Sequence, residues 1–155
     1  MRARTVQLVS ACLAGMRCRY DGRSRTNAEV VAAVEAGTAV PACPEMLGGL
    51  TTPRRPAEIV GGDGDDVLDG TARVRTDDGA DVTAQYVDGA RRALAIATAV
   101  GADRATLHQR SPSCGCGERY DGSFTGSVTA GSGVTAALLR RNGIAVTPAD
   151  RDPVV

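Results

Sequence analysis

The chain has 155 residues, 43% of them apolar and only 3% aromatic, and its 18 basic and 18 acidic residues leave no formal net charge. Every basic residue is Arg, which excludes Schiff-base chemistry on a lysine and a phosphate-binding loop that ends in Lys. The balanced charge argues against a surface built for polyanions, so neither nucleic acid nor a membrane is an expected partner.

In chain order, Arg2 and Arg4 precede a short apolar run, Val6 to Cys12. It carries Gln7 and Ser10 and leads into a cysteine-bearing loop, so it reads as a first core strand rather than a signal peptide. Asn27 to Ala36 places Val30, Val31 and Val34 at helical spacing and stops at Gly37. Ala39 to Cys43 is the next strand, closed by Pro44, and Gly48 to Gly64 is a Gly-, Pro- and Thr-rich loop. Val67 to Thr76 reads as a strand or hairpin arm, and the acidic stretch Asp63 to Asp69 as plain loop, because its spacing fails the calcium pattern. Val82 to Val100 is the longest helix, which Asp81 can cap. Ala105 to Leu107 begins a third strand, Tyr120 to Gly133 is a polar loop, Val134 to Arg141 a helix, and Ile144 to Thr147 the last strand. The alternation predicts a single Rossmann-like α/β domain, residues 1–148, with a mainly parallel sheet, helices on both faces and a loose tail over 149–155. No segment has the length of a membrane span, and a cytoplasmic protein is expected.

A chain of this length buries roughly 68–70% of its unfolded surface, so it needs no disulfides to fold. Five cysteines then fit a reducing compartment and metal-binding or catalytic thiols. Cys12, Cys43 and Cys114 each stand where an apolar strand gives way to a loop. In a parallel sheet those carboxyl ends share one edge, the edge at which such folds bind ligands. Three thiolates there can hold three irons of a cubane cluster and leave the fourth open. Three merely buried structural cysteines are the alternative; a zinc site is another, although no C-x2-4-C knuckle occurs. Cys18 and Cys116 read as spare thiols. Glu45, after Cys43-Pro44, is a candidate proton carrier, with a capping or solvated role as the other reading. Ser111 and Ser113 bracket Pro112 before Cys114 and can orient substrate or water, or serve the turn. Gly131-Ser132-Gly133 ahead of a helix, and Arg54 with Arg55, are candidate anion sites. His108, the only histidine, reads as structural, and Phe124 as a core residue.

Several blocks stand in order: Val9 to Gly15, Cys18-Arg19-Tyr20-Asp21-Gly22, Cys43-Pro44-Glu45-Met46-Leu47-Gly48-Gly49, Pro53-Arg54, Ser111-Pro112-Ser113-Cys114-Gly115, Tyr120 to Phe124 and Gly133 to Leu138. Together they resemble the thiouracil desulfidase family over nearly the whole chain. The resemblance implies a 4Fe-4S cluster held by Cys12, Cys43 and Cys114, and Glu45 and Ser111 as catalytic residues. Ser113, Arg54 and Gly115 are then the candidates for substrate binding. The activity implied is replacement of C=S by C=O in 2-thiouracil, 4-thiouracil or 4-thiouridine monophosphate. A non-catalytic iron–sulfur or persulfide carrier is the alternative. His108 stands where the family often has Lys.

Overall fold

The computed structural model describes residues 5–149. It begins with β1 (Gln7–Ser10), a 3-10 turn over Ala11–Ala14, α1 (Ala28–Glu35), β2 (Ala39–Ala42) and α2 (Pro44–Leu47). There follow β3 (Ala57–Val60), α3 (Gly64–Leu68), β4 (Arg73–Thr76), α4 (Thr83–Ala99) and β5 (Arg104–Leu107). The chain closes with β6 (Glu118–Tyr120), β7 (Val128–Ala130), α5 (Val134–Arg141) and β8 (Ala145–Pro148).

Four of the strands form one sheet in the order β2-β1-β5-β8, and every pairing in it is parallel. Successive strand residues face opposite ways, so Leu8 and Val9 feed different layers. Leu8, Ala105 and Leu107 pack with Ala93 and Ala97 of α4 and with Ala136 and Leu139 of α5. Val9 and Ala39 pack with Val30 of α1 on the other face. Helices therefore cover both faces, as the alternation predicts. Pro41 and Pro148 lie on the two edge strands, where a missing N–H breaks no ladder.

A third cluster, with Ile59, Val74, Tyr86, Ala90 and Val134, includes residues of the antiparallel β3–β4 pair. Here the structure departs from sequence expectation. The acidic stretch read as loop is helical, because Asp63 accepts from the Asp66 N–H (3.1 Å) and Asp66 accepts from the Asp63 N–H (2.9 Å). This is a capping box closed by Asp instead of Glu. The supposed loop before it contains β3, and the polar loop after Cys114 contains the β6–β7 hairpin. Short, two-sided strands lack the apolar alternation by which they would be read.

Asn27 caps α1 through its side chain, accepting from Glu29 and Val30, and Asp81 accepts from the Thr83 N–H at the start of α4. Phe124, expected in the core, is exposed, with a backbone φ of 58°. Of the tail expected from 149, only Ala149 is described; it is buried and its N–H donates to the Leu107 carbonyl. Positions 150–155 lie outside the described residues. Among the described residues no helix is long and apolar enough to cross a membrane.

Candidate active site

β1 has β2 on one side and β5 on the other, and the chain leaves it over opposite faces of the sheet. This is the switch point at which a crevice opens beyond the carboxyl ends of the strands. A cavity of about 660 Å³ lies there, and Cys12, Cys43, Cys114, Glu45 and Ser111 all line it.

Each cysteine reaches the cavity because its strand ends in a sharp turn. Cys12 lies in the 3-10 turn after β1, which Gly15 stops in the left-handed region (φ 97°). Cys43 is the N-cap of α2, with Pro44 opening the helix. Cys114 closes a turn in which the Ser111 hydroxyl oxygen accepts from the N–H of Ser113 (3.0 Å) and of Cys114 (3.1 Å). A Cβ on Gly115 would stand 2.6 Å from the Ser111 carbonyl oxygen, so this turn admits only glycine there. Gly115 is thereby a turn former; it does not line the cavity.

All five thiols are free. Cys18 also lines the cavity, in hydrogen-bond contact with Cys12 and Cys43. The contact with Cys12 leads in pushing its thiol up to about 11, and burial adds to it. Cys43 is raised by its contact with Cys18 and then by burial and the charge of Glu45. Cys114 is raised chiefly by burial, with Glu45 next. Among the described residues no group of three or more His, Cys, Asp or Glu side chains is set to hold a single metal ion. Cys116 stands apart: Arg140 donates to its sulfur (2.7 Å), and it is not in the cavity wall.

The polar machinery faces these thiols. The Ser111 hydroxyl donates to Glu45 Oε1 at 3.0 Å, and Arg54 forms an ion pair with Glu45 Oε2. Arg54 donates further to the Cys18 carbonyl (2.9 Å) and to Thr52 Oγ1 (3.0 Å). Its side chain is 7% exposed, and it lies outside the cavity wall. Its guanidinium is thus committed to Glu45 and the Cys18 loop. Ser113 is fully buried, shares a 2.7 Å hydrogen bond with Thr135 Oγ1 and lies outside the cavity wall. The anion site suggested at Gly131 to Gly133 is closed. The first N–H groups of α5, those of Val134 and Thr135, donate to the carbonyls of Pro112 and Ser113.

The cavity also has walls that sequence reasoning did not assign to it: Cys18, Arg19, Arg25, Tyr86 and His108. Burial, with the charges of Arg19 and Arg25, lowers His108 to about 4. Its backbone N–H donates to Ser10 Oγ (2.9 Å), which ties the ends of β5 and β1. The segment from Cys18 to Arg25 returns to the site because the Arg25 N–H donates to the Cys12 carbonyl (2.9 Å). Only the cysteine and the turn residues of that segment signalled it in the sequence.

Comparison with known proteins shows the family and the fold. The sequence profile of the 2-thiouracil desulfurase family matches residues 8–151. An uncharacterised protein of Bacillus subtilis, YbbK, is 50% identical over 139 residues, covering 90% of this chain and 92% of that one. Among solved structures, the 4Fe-4S-dependent thiouracil desulfidase TudS superposes with a TM-score of 0.82 at 44% identity. That match covers 94% of this chain and 91% of the other.

Proposed function

Because the chain belongs to the 2-thiouracil desulfurase family, we propose that it is an iron–sulfur-dependent desulfidase that converts the C=S of a thiolated pyrimidine to C=O. Water supplies the oxygen and hydrogen sulfide leaves, so the reaction needs no external oxidant or reductant. The observation that carries this reading is the hydrogen-bonded Ser111–Glu45 pair in one cavity with the free thiols of Cys12, Cys43 and Cys114. Those three cysteines, on the turns after β1, β2 and β5, suit a 4Fe-4S cluster, and when bound it supplies a Lewis-acidic iron for the thiocarbonyl sulfur.

The remaining work belongs to this chain's side chains. Glu45 takes a proton from the attacking water and returns it as the sulfur departs. Arg54 holds Oε2, so the Oε1 lone pairs stay aimed at Ser111 and the cavity. Ser111, locked by two backbone N–H donors, positions the water. A cavity of this size suits a small molecule. Arg19 and Arg25 in its wall favour a substrate that carries a phosphate, such as 4-thiouridine monophosphate, over the free base.

The test uses anaerobically reconstituted protein with 2-thiouracil, 4-thiouracil and 4-thiouridine monophosphate, following loss of thiocarbonyl absorbance and release of sulfide. Glu45→Gln should keep its iron and lose at least about 100-fold in kcat, since only proton transfer is removed. A fully loaded protein that consumes none of the three would instead be a carrier.

A further inference from the structure

One side chain in the cavity wall has no part in the mechanism above. Tyr86, on the second turn of α4, is 3% exposed. Its ring packs among Ile59, Val74, Ala90 and Val134, yet the residue lines the same cavity as Glu45, Cys43 and Cys114. The hydroxyl makes no hydrogen bond to any described residue. It is not sealed in either: among the described residues the only side-chain nitrogen or oxygen both buried and unpartnered is Arg119 Nε. A phenol so deeply set almost always finds a partner, and here the open space beside it is the cavity.

The backbone fixes its place. A Cβ on Gly48 would stand 2.0 Å from the Gln85 carbonyl oxygen, and one on Gly89 would stand 1.9 Å from that of Pro44. α2 and α4 therefore touch backbone to backbone on both sides of Tyr86, which sets that residue beside Glu45. Ala57 and Tyr86 also border a second, smaller cavity. The charged and titratable groups that act on the phenol are Glu45, Arg54, Cys114 and Cys43. Three of these four line the first cavity, as Tyr86 itself does. Burial above all, with the charge of Glu45, holds the phenol protonated well above the ordinary tyrosine range. It can only donate.

We propose that Tyr86 is a further substrate-contacting residue, whose hydroxyl donates a hydrogen bond to an acceptor on the thiolated pyrimidine ring. This rests on the desulfidase reading. A ring carbonyl or ring nitrogen meets a preset donor, and any negative charge it gains as water attacks strengthens the bond. Binding also gives the Tyr86 hydroxyl a partner.

The experiment compares wild type with Tyr86→Phe as anaerobically reconstituted enzyme, which preserves ring packing and deletes only the oxygen. Four quantities are read: iron per protein, thermal midpoint, calorimetric affinity for uracil, and kcat/KM for 2-thiouracil against pH. We expect iron content unchanged and the midpoint unchanged or higher. Uracil affinity and kcat/KM should each fall about tenfold, the worth of one such hydrogen bond, with the acid limb of the profile in place. Equal affinity and equal kcat/KM would overturn the proposal while leaving the desulfidase reading intact. So would losses that track iron, or a shifted acid limb with unchanged uracil affinity, which would mean the hydroxyl acts through Glu45. A wild type that consumes none of 2-thiouracil, 4-thiouracil and 4-thiouridine monophosphate overturns both, whereas one that turns over any of them with no loss in Tyr86→Phe overturns only the proposal.

Discussion

Ser111 shows how much one hydroxyl can do. It donates to Glu45 and accepts from two backbone N–H groups, so it is at once part of the candidate chemistry and the lock of the turn that presents Cys114. Ser111→Ala should lower kcat at least about 100-fold, as loss of a positioned polar group does. It should also lower stability by roughly 1–3 kcal/mol, because two N–H groups lose their acceptor. Steady-state kinetics and urea unfolding on the same preparation check both. His108 makes a different kind of prediction. Its folded pKa, about 4, lies below the ordinary 6.5, so between those values the unfolded chain takes up a proton that the folded one refuses. Stability is unaffected above pH 7, falls as pH drops through 6.5, and stops falling from this source near pH 4. The full difference is roughly 3 kcal/mol at the low end. His108→Gln should remove that share of the acid sensitivity, read as the gap between the two proteins' urea midpoints at pH 4.5 and pH 7.5; parallel curves would uncouple His108 from folding.

At the scale of elements, the site depends on how α2 meets α4. Glu45 belongs to a helix of only four residues, far too short to be stable alone, so α4 has to hold it. The backbone contact at Gly48 and Gly89 is that support. Replacing a helix-interior Gly by Ala normally stabilises by about 1 kcal/mol. At Gly89 the new Cβ would meet a backbone oxygen that cannot rotate away, an overpacking cost of roughly 3 kcal/mol. Gly89→Ala should therefore destabilise by about 2 kcal/mol net, and it should reduce kcat through Glu45 without touching a cysteine. Thermal melts and iron analysis separate this from cluster loss. The recurrence of Arg-Tyr-Asp-Gly at 19–22 and 119–122 is also explained at this scale. In both copies the Asp side chain accepts from the N–H two residues on (3.0 and 2.9 Å), and the Gly takes positive φ (75° and 90°). They are two copies of one turn.

Over the whole molecule, three turns separated by tens of residues converge on one cavity, so the proposed cluster can bind only the folded chain. Cys12→Ser, Cys43→Ser and Cys114→Ser should each lose iron, acid-labile sulfide and activity together. Cys116→Ser should retain all three, because that thiol is held by Arg140 on the far side of the turn. Iron and sulfide assays on the four variants decide it. The sequence by itself determined the parallel α/β plan, the helices over 28–35, 83–99 and 134–141 to within a residue or two, and the strand-end placement of three cysteines. These follow from local signals: apolar periodicity, caps, and turn residues acting over a few positions. Only the tertiary structure decided that Cys18 joins Cys12 and Cys43, that Arg54 is spent on Glu45, and that the first N–H groups of α5 are taken by Pro112 and Ser113. It alone showed that Tyr86, legible only as one face of a helix, carries an unpartnered hydroxyl at the site. A hydrogen bond between residues 9 or 66 positions apart, as with Arg54 and Ser111 to Glu45, depends on where the chain returns in space, and no local periodicity encodes that return.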